Sequence, residues 1–231
     1  MRFTLADQPF AGRLGRGVTI AVLDSGIHDG HPHVGAVAGG ISLVGESGDF
    51  DDHVGHGTAV AAAIREKAPD ADLLAVKIFD RHLATNAELL ARAIEWAADH
   101  GARLINLSLG TANLAHAKIL ASAVDSAAAR GSLVVSALEA NGSPLLPGSL
   151  QNVAGVTAHW AGDRDQLEVE LRPGATPRFA ASAYPRPIPG VPKERNLAGV
   201  SFAVANVTGF LARALGTGAT ALPRSAYSAD E

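Results

Sequence analysis

The chain has 231 residues, 47% hydrophobic and 18% charged, which is enough apolar material for a sizeable core and too little charge for a disordered chain. A formal charge of −4 offers no basic field to a nucleic-acid backbone, and the absence of cysteine removes disulfides, thiolate metal sites and cysteine nucleophiles. No apolar run approaches the roughly 18 residues needed to cross a bilayer, and the start, MRFTLADQPFAGRLGRGVTIAVLD, lacks the pattern of a signal peptide, so a cytoplasmic location is expected.

Residues 1–16 read as an amino-terminal extension ahead of VTIAVL at 18–23, a continuous β-branched run of the kind found in a strand covered on both faces. Similar runs follow at 73–79 (LLAVKIF), 103–107 (RLINL), 132–137 (SLVVSA) and 153–157 (VAGVT). Between the second and third, T-N-A-E at Thr85 offers a capping box with Glu88. Leu89, Leu90, Ala93, Ile94 and Ala97 then form an apolar stripe that Gly101 ends. A second helical stripe runs through Ile119, Leu120, Ala123, Val124 and Ala127 to Gly131. Residues 159–198 change character: the charged DRDQLEVELR reads as a short hairpin or surface excursion, and the proline-rich YPRPIPGVP as an extended loop. An apolar helix follows Ser201, and 217–231 read as a flexible tail.

Strands alternating with helices need crossover connections. The expected fold is therefore α/β: three layers, a mainly parallel β-sheet with helices on both faces, in one domain spanning 1–231. Such sheets bind ligands beyond the carboxyl ends of their strands. Asp24 stands at one such end, in AVLDSGI; His56 lies in GHGTAVAAAI and Ser201 in GVSFAVA. Each has an ordinary reading, as a turn residue, a helix start and an N-cap. Together they are the three residue types that serine acyl transfer requires: a nucleophile, a base, and an acid that orients the base.

The flanks carry a resemblance. VTIAVLDSGIHDGHPHV resembles the aspartate motif of the subtilisin-like serine proteases, GHGTAV the histidine motif and NLAGVSFAVANVTG the serine motif, in that family's order. LLAVKIF and LINLSLG resemble its intervening core strands, and LPGSLQNVAGV the segment after its oxyanion-hole loop. The resemblance implies a subtilisin-like fold and a serine endopeptidase with Ser201 as nucleophile, His56 as general base and Asp24 as its orienting carboxylate. It also implies that Ser108, Leu109 and Gly110 pair with an extended peptide or protein substrate, and it implies no cofactor.

Departures from the family pattern set further expectations. Where the family has an oxyanion-stabilising asparagine the chain reads SALEANGSPLLPG, with Ala140 at the aligned position and Asn141 one step later. Either the loop shifts to bring Asn141 into the hole, or the Ser201 amide acts with another donor, or the enzyme is slow; A-N-G is equally a turn signal. The segment REKAPDAD is too short for the calcium loop of many relatives, and His33 stands where a calcium-ligating aspartate is usual. His28, His31, His33 and His53, with Asp49, Asp51 and Asp52, lack compact ligand spacing and read as a solvated polar rim, so no metal is expected. The first core strand starts by Val18, too early for a folding prodomain ahead of it, so the expectation is either that the chain folds unaided or that the numbering is that of a processed product. Limited intracellular peptide processing is the leading expectation; a catalytically weak or inactive peptide-binding protein and a transpeptidase or cyclase are the alternatives.

Overall fold

The computed structural model describes residues 1–45, 49–80, 82 and 84–217; most of the tail expected at 217–231 lies outside the described residues. In chain order the elements are β1 (Arg2–Thr4), β2 (Thr19–Asp24), β3 (Gly39–Ser42), α1 (His56–Lys67), β4 (Asp72–Lys77), α2 (Ala87–Asp99), β5 (Leu104–Leu107) and α3 (Ala117–Ala129). They continue with β6 (Leu133–Ala137), β7 (Glu139–Ala140), β8 (Ser143–Pro144), β9 (Val153–His159), β10 (Gln166–Arg172), β11 (Ala175–Ser182) and α4 (Val200–Leu215). Nine strands make one sheet in the order β1-β10-β11-β9-β6-β5-β2-β4-β3, and β7 and β8 form a separate hairpin.

The seven strands from β11 to β3 in this order run parallel to their neighbours. Their continuous apolar sequences follow from burial on both faces. Along β2, Ile20 and Val22 enter a core shared with α1 and α4, while Ala21 and Leu23 enter the core shared with α2 and α3. This is the expected three-layer α/β arrangement. After β2 the chain builds β4 and β3 on one side and then crosses to β5 and β6 on the other. The order therefore reverses at β2, the switch point where such sheets open a crevice.

One expectation needs correction, and two segments take a larger part in the sheet than their sequences suggest. The cap of α2 is Asn86, whose side chain accepts from the Leu89 amide at 2.8 Å, and not Thr85. Of the two readings of the charged part of 159–198, the hairpin is the one that forms, since β10 and β11 are antiparallel partners, and it is no surface excursion, because β11 pairs with β9 in the main sheet. The segment 1–16 supplies β1 to the outer edge of β10, with Arg2 opposite Glu168 and bonded to it at 2.5 Å. The cap is a local choice made by backbone geometry, whereas the sheet partners of β1, β10 and β11 are tertiary contacts that local pattern does not carry.

Candidate active site

Asp24 is the last residue of β2 and is 1% exposed. His56 opens α1, and the glycines around it explain how helix and strand approach so closely. Gly55 precedes the helix at φ 89°, in the left-handed region. A methyl group on Gly57 would overlap the Gly26 carbonyl oxygen and sit 3.1 Å from Asp24 Cβ, so only glycine lets the first turn lie against the end of β2. The outcome is a 2.7 Å hydrogen bond between His56 Nδ1 and Asp24 Oδ1. With a carboxylate as partner, Nδ1 carries the proton and donates it, which leaves Nε2 as the ring's free acceptor.

The same carboxylate oxygen accepts from the Ser25 amide at 2.8 Å, whereas Asp24 Oδ2 is buried without a partner among the described residues. Burial of the His56 ring pulls its pKa down, but the hydrogen bond and charge of Asp24, with a smaller contribution from Asp52, lift it above the ordinary imidazole value.

Ser201 is the second residue of α4, after the N-cap Gly199, which provides no side-chain cap. Its hydroxyl donates to the Ser108 carbonyl at 3.0 Å, and the Ser108 hydroxyl returns a bond to the Ser201 carbonyl at 3.3 Å. The helix also brings Phe202 to His56, with ring centroids 5.7 Å apart. A buried polar chain fixes β5 against α4: Thr208 Oγ1 donates to Asn106 Oδ1 at 2.9 Å, and Asn106 Nδ2 donates to Ser108 Oγ at 3.0 Å. Asn106 and Thr208 are both 0% exposed, and sequence reasoning missed them. The available signal was a lone amide in the otherwise apolar strand LINL.

Ser108, Leu109 and Gly110 leave the carboxyl end of β5, with Ser108 buried and the other two half-buried. The Leu109 carbonyl accepts from Ser136 Oγ at 3.0 Å, and Leu145 lies over Gly110 at 2.8 Å from the position its Cβ would take. Thr111 and Leu146 form an antiparallel bridge that ties the end of this segment to the chain just after β8. Asn141 makes no side-chain hydrogen bond to Asp24, His56 or Ser201 among the described residues. It sits exposed at the tip of the β7–β8 hairpin, where Asn141 (φ 51°) and Gly142 (φ 77°) form the two positive-φ positions of the turn. The turn reading of A-N-G is the one that matches this placement.

The histidine and aspartate rim separates into parts. His28 Nδ1 lies 3.0 Å from Asp51 Oδ1, and His53 Nε2 approaches Asp49 and Asp51 at 3.8 and 4.0 Å, all with substantial exposure. His31 packs edge-on against His28 and His33. Among the described residues, no three histidine, aspartate or glutamate side chains are grouped to hold a metal ion. Asp52 departs from the rim reading. It is half-buried and collects hydrogen bonds from Ser25, Val54, Gly55 and Thr58.

The fold defines a class first, the doubly wound α/β proteins whose ligands sit at the carboxyl ends of the strands. Residues 15–162 match the model of the subtilase family, a span that includes Asp24, His56 and Ser108–Gly110 and stops before Ser201. The chain belongs to the subtilase family. It is 34% identical over 184 residues to the minor extracellular protease Epr of Bacillus subtilis, covering 74% of this chain and 27% of that protein. It is 39% identical over 155 residues to the thermophilic serine proteinase of Bacillus sp. strain AK1, covering 62% and 38%. Against subtilisin Savinase of Lederbergia lenta it is 38% identical over 135 residues, covering 54% and 49%. The chain thus spans between about a quarter and a half of the length of these relatives. The crystal structure of a cold adapted subtilisin-like serine proteinase superimposes with a TM-score of 0.70 at 20% identity, covering 89% of this chain and 78% of that one, which shows the fold. No helix among the described residues is long and apolar enough to cross a membrane.

Proposed function

We propose that this chain is a serine endopeptidase that cleaves peptide bonds through an acyl-enzyme, with Ser201 as nucleophile, His56 as base and acid, and Asp24 as the orienting carboxylate. The observation that carries the reading is the 2.7 Å Asp24–His56 bond, which commits Nδ1 to Asp24 and leaves Nε2 for a proton from a serine at the entrance of the neighbouring helix. Ser201 first leaves the Ser108 carbonyl by rotation about its single χ1, a change between staggered wells. Its oxygen then bonds to the scissile carbonyl carbon as its proton passes to His56. The carbon–nitrogen bond breaks as His56 returns that proton to the leaving amine. Water repeats the sequence on the ester, releasing the acid and restoring the hydroxyl.

The oxyanion forms at the entrance of α4, where the Ser201 amide belongs to the helix turn whose N–H groups lack intrahelical acceptors. Asn141 has no part in this reading. Ser108–Gly110 is the segment we assign to the substrate backbone, which adds main-chain hydrogen bonds as a strand does.

The test is labelling by a fluorophosphonate. Wild type is labelled, Ser201→Ala is not, and His56→Ala is labelled far more slowly. The rate rises with pH as His56 loses its proton, with a midpoint above that of an ordinary imidazole. An inert wild type refutes the reading, and peptide capture without cleavage over long incubation, unchanged by Ser201→Ala, selects a peptide-binding protein instead. Product mass separates hydrolysis, which adds one water, from cyclisation, which adds none. A cytoplasmic role in limited processing is part of the proposal, and cell fractionation decides it against secretion.

A further inference from the structure

The first turn of α1 poses a problem of hydrogen-bond supply. A helix begins with N–H groups that have no intrahelical acceptor, and here the N-cap is Gly55, which has no side chain to serve them. Ser25, just after β2, and Asp52, from the loop that enters α1, take over. Ser25 Oγ accepts from the Gly57 amide at 3.0 Å, and Asp52 Oδ2 accepts from the Thr58 amide at 2.8 Å and from the Thr58 hydroxyl at 2.7 Å. The other Asp52 oxygen, Oδ1, accepts from Ser25 Oγ at 2.8 Å and from the Val54 and Gly55 amides at 2.9 and 2.8 Å.

One carboxylate therefore joins three pieces: the residue that follows Asp24, the loop that enters α1, and the turn that begins with His56. The loop is itself held from the sheet. Lys77 Nζ, almost fully buried at the end of β4, donates to the Asp51 carbonyl at 2.7 Å, and the Ile27 amide donates to the Phe50 carbonyl at 3.0 Å.

We propose that Asp52 is a positioning residue for the Asp24–His56 pair, setting the first turn of α1 in register with the end of β2 through Ser25 and Thr58. The inference rests on the serine-peptidase reading above and adds a group that acts through His56 without touching substrate. Its charge has a second effect. Burial would push the Asp52 carboxyl up, but the hydrogen bonds from Thr58, Gly55 and Val54 hold it below the usual carboxylate range, so it is an anion at neutral pH and favours protonated His56. Asp24, from the end of β2, is the other anion acting on the ring. His28, His31, His33 and Arg186 line a cavity of about 350 Å³ bordered by Asp52, and these are the titratable and cationic groups on its outer side.

A purely structural cap and a positioning residue differ in what they do to His56. The experiment follows the His56 ring resonance by NMR against pH in wild type and Asp52→Asn, alongside the fluorophosphonate rate. Asp52→Asn retains the shape, removes the charge and turns one acceptor into a donor facing Thr58. The expected result is a His56 midpoint moved to lower pH, an acid limb of labelling moved with it, and a plateau rate lowered about ten- to a hundredfold. Thr58→Val keeps the charge and loses the hydroxyl's bond to Asp52 and the bond it accepts from the His28 amide, so it lowers the plateau without moving the midpoint, and Thr58→Ser, which keeps both, restores the rate. Asp52→Asn with unchanged midpoint and plateau refutes the proposal, as does a plateau loss that tracks only the unfolded fraction. If wild type is not labelled while the His56 midpoint still moves in Asp52→Asn, the peptidase reading fails and the coupling of Asp52 to His56 holds.

Discussion

Replacing Gly57 by alanine tests whether the close approach of α1 to β2 is what makes the site. The added methyl would overlap the Gly26 carbonyl oxygen and stand 3.1 Å from Asp24 Cβ and 3.3 Å from Asp24 Oδ1. All three neighbours are backbone or a fully buried side chain, so none can swing aside. Restoring an ordinary carbon–oxygen separation of about 3.3 Å requires the first turn of α1 to retreat by about 1 Å. That retreat stretches the 2.7 Å Asp24–His56 bond beyond hydrogen-bonding range and also withdraws the Gly57 amide from Ser25 Oγ. Overpacking of this kind costs about 1–3 kcal/mol of stability, and a misplacement of about 1 Å in a catalytic group costs about a hundredfold in rate. Urea unfolding and fluorophosphonate labelling of the folded fraction measure the two separately. Gly55→Ala is the companion variant. Its φ of 89° is strained for alanine, at about 1–2 kcal/mol, but the space around it is open, so stability falls while labelling of the folded protein drops less than tenfold. Gly57→Ala that folds with wild-type stability and labels at the wild-type rate refutes the close-approach argument.

Thr208→Val deletes the donor to Asn106 Oδ1 inside the core. The orphaned amide oxygen should lower the unfolding free energy by about 1–3 kcal/mol in urea titrations, with Thr208→Ser close to wild type. Asn141→Ala leaves turnover within about threefold of wild type, because the residue stands at a hairpin tip, yet it costs about 1 kcal/mol for its positive φ; a larger loss of turnover in the folded protein returns Asn141 to the mechanism. The acid side of the stability profile tests the ion pairs around Lys67. Its hydrogen bond to Asp165 holds that carboxyl below the ordinary range, and Glu66 is also lowered, since bonding to Arg164 and the charge of Lys67 outweigh the opposing effect of burial. Carboxyls lowered in this way stabilise the fold above the ordinary carboxylate pKa and lose that contribution as pH falls through their folded values. The stability gap between wild type and Asp165→Asn, measured by urea unfolding from pH 7 to pH 3, should therefore shrink with acid; a constant gap refutes the assignment.

The parallel strands were legible because each is covered on both faces, so VTIAVL, LLAVKIF and SLVVSA are continuous runs with no solvent side to interrupt them. The starts of α2 and of the antiparallel edge were less so. Thr85 and Asn86 are both capping residues, and only the backbone geometry chooses between them. QLEVELR announced a strand, but its partners are Ala175–Ser182 and a segment at the far amino terminus, and strand pattern specifies no partner. At the site, the pairing of Asp24 with His56 is what the resemblance of the three motifs to the subtilisin-like family implies, and the structure has the bond. Asp52 was hidden by its setting, since DFDDH has the composition of a solvated loop. It differs from Asp49 and Asp51 in facing Ser25 and Thr58 and in accepting from the Val54 and Gly55 amides, which a linear reading does not reveal. Asn141 illustrates the converse, where the local signal A-N-G is enough to place a positive-φ turn residue.

The candidate site depends as much on the two helices of one layer as on the sheet. His56 and Ser201 are both at helix entrances, on α1 and α4, which pack together on the same face; Asp24 alone comes from a strand. The mutual placement of imidazole and hydroxyl is thus inherited from the α1–α4 crossing, most of which lies far from the chemistry. At that crossing Gly209 faces the stem of Lys67, where a Cβ would come within 2.5 Å of Lys67 Cβ. Lys67 has no freedom to give way: it is 1% exposed and its Nζ is tied to Asp165 at 2.9 Å. The Glu66–Arg164 pair fixes the same end of α1 to the turn between β9 and β10. Polar contacts at the carboxyl end of α1 and at its entrance therefore act in series. Asp165 and Glu66 hold the far end of the helix, Asp52 and Ser25 hold the near end, and His56 has little room to leave Asp24 unless one of these anchors is released.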